Sequence, residues 1–259
     1  MTDTAQPRPD PYCGPAPGSD TLLTAWNGDA ALLGALALLV GLGFWRLRAA
    51  EAGRRRAFGV ASGAALIAFV SPLCALTVAL FAARGLHHLL VIFALAPALA
   101  LAFPLRPGWA GAGFLTLSAA LWAWHVPLIY AAAWDHASVY WAMQGALILP
   151  AWAFWSGVLD RPRELGAQLS AGLQLAGLAG QMGLIGAILT FAPRILYPEH
   201  LVTTAGFGLD PLQDQQLAGL VMWVPGMVPL ALAAGWLLRR AWVEAQNGDQ
   251  NGAAQRGPA

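Results

Sequence analysis

The five histidines are the side chains of this sequence best suited to chemistry, and all lie in or beside apolar segments. They are His87, His88, His125, His136 and His200. Imidazole is the commonest transition-metal ligand in proteins. If the fold gathers these rings on one side of the molecule, the sequence predicts a metal site there.

The composition indicates an integral membrane protein. Hydrophobic residues make up 58% of the chain and charged residues 10%, with twelve Trp, whereas about a quarter of the residues in soluble domains are charged. All basic residues are Arg, and the formal net charge is +1. Bulk charge therefore points to neither a nucleic acid nor an acidic partner, and we expect the lipid bilayer as the surroundings.

A window of about 19 residues, which crosses roughly 30 Å of hydrocarbon, selects seven apolar stretches. They lie near 30–46, 58–81, 86–105, 110–130, 138–158, 169–192 and 215–238. An open sheet is excluded because unpaired backbone groups cost too much in lipid. The sequence predicts an all-α polytopic membrane bundle of about seven helices at 30–240, after a polar segment at 1–29 and before a disordered tail at 241–259.

Arginines in alternate loops predict the orientation of this bundle. One side carries Arg46, Arg48, Arg54, Arg55, Arg56, Arg106, Arg161, Arg163, Arg239 and Arg240. The other side carries only Arg8, Arg84 and Arg194. The arginine-rich side should be cytoplasmic, which gives an N-out, C-in topology with all five histidines on the outer side.

Helical spacing adds neighbours to the histidines. The stripes are His136, Tyr140, Met143 and Gln144 on the fifth span and Asp214, Ala218 and Met222 on the seventh. Imidazole with thioether is a ligand set that suits copper. The competing interpretation is ordinary packing, because His and Tyr are common at membrane interfaces and Met fills gaps between helices. His87 and His88 point about 100° apart on a helix, so we expect only one of them to bind a given ion.

Three further residues each have two interpretations. Cys74 is either a soft ligand or a small core residue; it lacks a C-x-x-C partner, and we expect no bridge to Cys13. Arg84 either holds an anionic group or extends to the interface, and we favour the second. Asp214 either caps the start of the seventh span or contacts a metal or a partner.

Several segments together resemble the CtaG-type cytochrome c oxidase assembly factors. They are 69–76, 80–90 with Pro97, 122–130 with His136 and Phe154-Trp155, and above all the compositionally unusual run at 208–226. The resemblance implies a multi-span protein of the bacterial cytoplasmic membrane that helps to build a haem-copper oxidase without catalysing a reaction itself. Its partners would be oxidase subunits and copper donor proteins, and its cargo would be copper.

Carried over by position, the resemblance implies His88, His125 and His136 as metal residues. Asp214, Gln215 and Met222 would be their neighbours. The sequence also departs from the family pattern, in which His-Met often stands at Arg84-Gly85, an acidic residue at Cys74 and a histidine near Gln144. His87 and Cys74 could compensate, or this chain binds metal differently or not at all.

Two other function classes stay open at this point. A membrane cytochrome could hold haem between His88 and His125, although electron transfer across the bilayer would need a second histidine pair near the cytoplasmic side. A transporter for a small solute or metal ion should carry charges at mid-depth, and the spans carry almost none. An enzyme is disfavoured because the sequence contains no G-x-S-x-G, H-E-x-x-H or P-loop motif.

Overall fold

The protein is seen in a computed structural model that describes residues 11–160 and 165–255, and in that part of the chain it consists of helices and the loops between them, with no strand. The helices are α1 (Ala30–Arg46), α2 (Ala52–Phe69), α3 (Pro72–Ala79), α4 (Phe81–Leu90), α5 (Ala96–Ala102), α6 (Ala110–Trp124), α7 (Pro127–Asp135), α8 (Ala137–Leu159), α9 (Leu165–Phe191) and α10 (Pro211–Gln255). Arg8, Arg161 and Arg163, which entered the orientation argument, lie outside the described residues.

The all-α membrane class is confirmed, but the count of seven spans is not. Within the described ranges, four helices are long and apolar enough to cross a membrane, and up to six spans result if each bent helix pair counts as one. The bent pairs are α2 with α3, at 43°, and α6 with α7, at 83°. The first predicted span, α1, has only 17 residues. The orientation relative to the membrane stays a prediction.

A proline shapes the helix that carries His87 and His88. α4 and α5 join through a π-helical turn at Val91–Leu95 into one span of 22 residues. The N–H of Ala96 bonds to the Val91 carbonyl, and Pro97 has no N–H to offer the next carbonyl, that of Ile92. Trp155 of α8 donates its indole N–H to this carbonyl at 2.7 Å instead. The π-turn thus fastens the α4–α5 span to α8.

Two glycines allow α9 and α10 to pack at very short range. A Cβ on Gly219 would lie 2.5 Å from the Gly186 carbonyl oxygen, and a Cβ on Gly186 would lie 2.8 Å from the Gly219 oxygen. Larger residues at either position would push the helices apart. Small residues at such crossings are a common device of membrane helix pairs.

The arginine-rich loops meet at one end of the bundle. Arg54 of α2 donates to the Ala102 carbonyl at the end of α5, and Arg240 of α10 donates to the Asp160 carbonyl beyond α8. α10 runs on to Gln255, although the sequence predicted a disordered tail from 241. The pair between Arg240 and Glu244 at 3.3 Å and the bond from Gln168 to Glu244 support this extension.

Candidate functional site

Asp214 joins two spans at the other end of the bundle. Its carboxylate accepts hydrogen bonds from the backbone N–H groups of Phe81 at 2.6 Å and Ala82 at 3.1 Å. Asp214 therefore caps the start of α4, a different helix from its own, and not the start of the seventh span. The cap of α10 is Asp210, which accepts from Leu212 N–H at 2.8 Å.

We expect Asp214→Ala to lower the free energy of unfolding by about 3 kcal/mol, because two buried N–H groups would lose their only acceptor. The measurement is thermal unfolding of the purified protein in detergent. Asp210→Ala is the matched control, since it removes an exposed cap and should cost about 1 kcal/mol. Equal losses in the two variants would contradict the inter-helix role of Asp214.

Gln215 follows Asp214 in the run at 208–226, and its side chain holds the loop that follows α9. Its side-chain oxygen accepts from Leu196 N–H at 2.7 Å, and its amide nitrogen donates to the Arg194 carbonyl at 3.2 Å. Neither amide atom faces the histidines. Gln215 is thus a structural neighbour of the site that holds a loop in place.

A small cavity beside the start of α4 brings together four of the nine predicted site residues, which are Arg84, His88, His125 and Met222. The cavity has a volume of about 10 Å³ and lies between α4, α6, α7 and α10. Its lining consists of Phe81, Arg84, Gly85, His88, Trp124, His125, Tyr130, Ala218 and Met222. A volume of this size holds about one water-sized sphere, so a single atom or ion fits.

The two imidazoles of the cavity keep nitrogen atoms available for a ligand. His125 ends α6, and its Nδ1 lies 2.6 Å from the Leu121 carbonyl oxygen. A carbonyl only accepts, so Nδ1 carries the proton and Nε2 of the neutral ring keeps its lone pair. His88 is 5% exposed, and its Nε2 has no hydrogen-bond partner in the described part of the structure.

The other predicted ligands do not reach this cavity. His136 is exposed at the cap of α8. His87 is fully buried on another face of α4, where its ring packs edge-on against Phe69 at 5.4 Å. Gln144, where the family resemblance suggested a histidine, is also fully buried. Of the three residues carried over by position, only His88 and His125 come together.

A disulfide joins Cys13 to Cys74, and the expectation that the two cysteines are unbridged is wrong. The bridge ties the N-terminal segment to α3. Tyr12 stacks on Tyr140 at 4.9 Å and donates to Asp29 at 2.7 Å, which adds non-covalent contacts. Cys74 in this bridge has no thiolate to offer a metal ion, so it drops out as a soft ligand.

Arg84 does not extend to the interface as the sequence favoured. It is 4% exposed and lines the cavity, with its guanidinium carbon 5.8 Å from the centre of the Tyr130 ring and 5.9 Å from that of Tyr140. The bend between α6 and α7 brings Tyr130 against α4. The cavity therefore combines one permanent positive charge with two imidazoles and a thioether.

His200 lies in the loop between α9 and α10, but its side chain is buried. It is 2% exposed, its Nε2 lies 2.8 Å from the Tyr130 hydroxyl, and its ring packs edge-on against Trp134 at 5.2 Å. Burial, and next the positive charge of Arg84, lower the pKa of His200 to about 3. His200 is consequently a neutral part of the wall behind the cavity.

The low pKa of His200 predicts a pH-dependent stability. An unfolded histidine binds a proton below about pH 6.5, whereas folded His200 does not until about pH 3. Stability should therefore fall as the pH drops from about 6.5 towards 3, by about 3 kcal/mol at pH ~4.5. Thermal unfolding at both ends of this range should show a smaller pH effect in His200→Gln, and an identical effect would contradict the prediction.

Among the residues described, no group of three or more His, Cys, Asp or Glu side chains could hold a metal ion. The cavity presents two histidines and one methionine instead. Thioether and imidazole nitrogen are ligands that suit Cu(I). The donor set fits a monovalent soft ion, while the guanidinium in the same cavity opposes a cation.

Comparison with known proteins identifies the family. The model of the cytochrome c oxidase caa3 assembly factors matches residues 110–244, just over half of the chain. No curated protein and no solved structure matches significantly. The matched region contains His125, Asp214, Gln215 and Met222, whereas Arg84 and His88 lie before it. The chain belongs to the caa3-type cytochrome c oxidase assembly factors.

Proposed function

We propose that this protein assists the assembly of a caa3-type oxidase by holding one Cu(I) ion as cargo and passing it to an oxidase subunit. The family supports a role in cytochrome c oxidase assembly. The copper part of the proposal rests on one observation, the single-atom cavity that His88, His125 and Met222 line together. An assembly factor of this kind binds and releases its cargo and catalyses no reaction.

Three side chains would coordinate the copper ion together. His125 presents Nε2 from a ring that its bond to Leu121 already orients, and such a second bond also makes an imidazole a better ligand. His88 presents the unpartnered Nε2. Met222 adds a soft thioether, which prefers the reduced ion.

Such a ligand set suits delivery better than permanent storage. It contains no thiolate, because Cys74 is bridged to Cys13, and all of its donors are neutral. A copper site in an oxidase subunit could therefore displace these ligands one at a time. We place the transfer on the outer side of the membrane, where the arginine distribution puts this end of the bundle.

The size of the cavity counts against the haem alternative. A porphyrin needs a slot of several hundred Å³, and the space between His88 and His125 is about 10 Å³. Helices α4, α6 and α10 would have to separate to admit the macrocycle. A Soret band in the purified protein would revive that alternative.

The copper proposal is tested by loading the purified protein with Cu(I) under reducing conditions and measuring the copper that remains after desalting. Wild-type protein should retain about one ion per chain. Loss of outer-shell partners alone costs about 10–100-fold in metal affinity, so His88→Gln with His125→Gln should weaken binding by more than about 100-fold. His136→Gln is the matched control and should bind as wild type. Unchanged copper in the double variant would overturn the proposal.

A further inference from the structure

The guanidinium of Arg84 has donors that nothing in the described structure uses. Its Nε and Nη1 are buried and lack hydrogen-bond partners. The one ion pair between described side chains is that of Arg240 with Glu244 at the opposite end of the bundle. Arg84 thus faces the cavity without a described carboxylate at salt-bridge distance.

A buried charge without a partner lowers the stability of the fold unless a group of opposite charge or a hydrogen-bond acceptor binds it. Buried charges in proteins are paired with an opposite charge or hydrogen-bonded, and the tyrosine rings near Arg84, at 5.8 and 5.9 Å, lie at the limit of cation–π distance. The carboxylate of Asp214, at the start of the same helix, accepts the N–H groups of Phe81 and Ala82. The free donors of Arg84 therefore need a different acceptor.

We infer that the cavity binds a small monatomic anion of the chloride class against Arg84. Nε–H and Nη1–H of the guanidinium would donate to it. His88, whose Nε2 is unpartnered and which lines the same cavity, can add a third donor in the tautomer that protonates Nε2. The small volume of about 10 Å³ favours a monatomic ion over a larger oxyanion such as sulfate.

This site also bears on the proposed function, although it does not depend on it. The cavity admits one atom, and Nε2 of His88 cannot donate a proton to a halide and a lone pair to copper at the same time. Halide and Cu(I) should therefore exclude each other, which is negative coupling between two ligands. The anion site itself can be measured in the absence of copper.

The test is thermal unfolding of the full-length, copper-free protein in detergent, titrated with sodium chloride or with sodium sulfate at equal ionic strength. At a tenfold excess over the dissociation constant, chloride should raise the melting temperature of the wild type by about 3 to 6 °C. Sulfate should not produce this saturable rise. Arg84→Gln should respond equally to the two salts, whereas Arg194→Gln, which changes an exposed arginine, should respond as wild type.

Equal responses of the wild type to chloride and sulfate would overturn the inference and leave water as the occupant. A chloride response that persists in Arg84→Gln would overturn it as well. If that variant does not fold, the comparison of the two salts on wild-type protein decides alone. A halide effect without copper binding would keep the anion site and remove the copper proposal, and copper binding without a halide effect would do the reverse.

Discussion

Replacing Arg84 by Gln is expected to raise the affinity of the protein for Cu(I) by about 100-fold when halide is absent. The guanidinium and the proposed ion share one cavity, which implies a separation of roughly 5 Å. Two like charges at this distance repel by about 3 kcal/mol at an effective dielectric constant of ~20. Gln removes the charge and keeps a polar side chain, so the repulsion should disappear while the donors His88, His125 and Met222 stay in place.

The measurement is a competition titration against a Cu(I) chelator of known affinity in sulfate buffer. Arg194→Gln controls for the loss of a positive charge at the same end of the bundle, and it should change the affinity little because exposed charges are screened. In chloride buffer the difference between wild type and Arg84→Gln should widen, because chloride competes with Cu(I) for the cavity in the wild type only. A variant that binds Cu(I) more weakly than wild type in sulfate would show that the guanidinium helps to hold the ion, contrary to the charge argument.

The sequence predicted the all-α membrane class and several of the residues that line the cavity. Hydropathy identified the apolar segments and their order. The arginine pattern distinguished the two ends of the bundle, and Arg54 and Arg240 indeed make their contacts at the arginine-rich end. The family-like motifs pointed to His88, His125 and Met222, which lie on three different helices and line one cavity. Motif positions could indicate these residues because each sits at a helix end or faces the bundle interior.

What the sequence could not predict depends on how separate helices meet. Asp214 caps α4 only because α10 passes beside Phe81. The sequence alone was equally consistent with Asp214 capping its own helix. His200 is buried because the loop between α9 and α10 folds over Tyr130, and no periodic pattern marks a loop residue as buried. The sharp bend before α7 changes which side chains meet, and a hydropathy window reads that region as one straight span.

The disulfide shows the same difficulty in another form. Cys13 and Cys74 are 61 residues apart, so no spacing rule links them. Only the packing of the N-terminal segment on α8, through Tyr12 and Tyr140, brings the two sulfurs together. His136 illustrates the converse case. It is the first residue of a helical stripe, but it lies one residue before α8 begins, and its ring is exposed.

The second large effect is expected in cells that depend on the caa3 oxidase. A strain that lacks this protein should accumulate oxidase with little copper, and the wild-type gene should restore it. The double variant His88→Gln with His125→Gln should fail to restore it, because it folds around the same cavity but offers no imidazole to the cargo. His136→Gln should restore it fully, since that ring is exposed and remote from the cavity.

The measurement that tests this account most directly is the ratio of copper to haem a in oxidase purified from these complemented strains, at matched membrane levels of each variant. We predict a wild-type ratio with His136→Gln and a ratio as low as in the deletion strain with the double variant. A wild-type ratio in the strain that carries the double variant would contradict the claim that His88 and His125 hold copper for the oxidase.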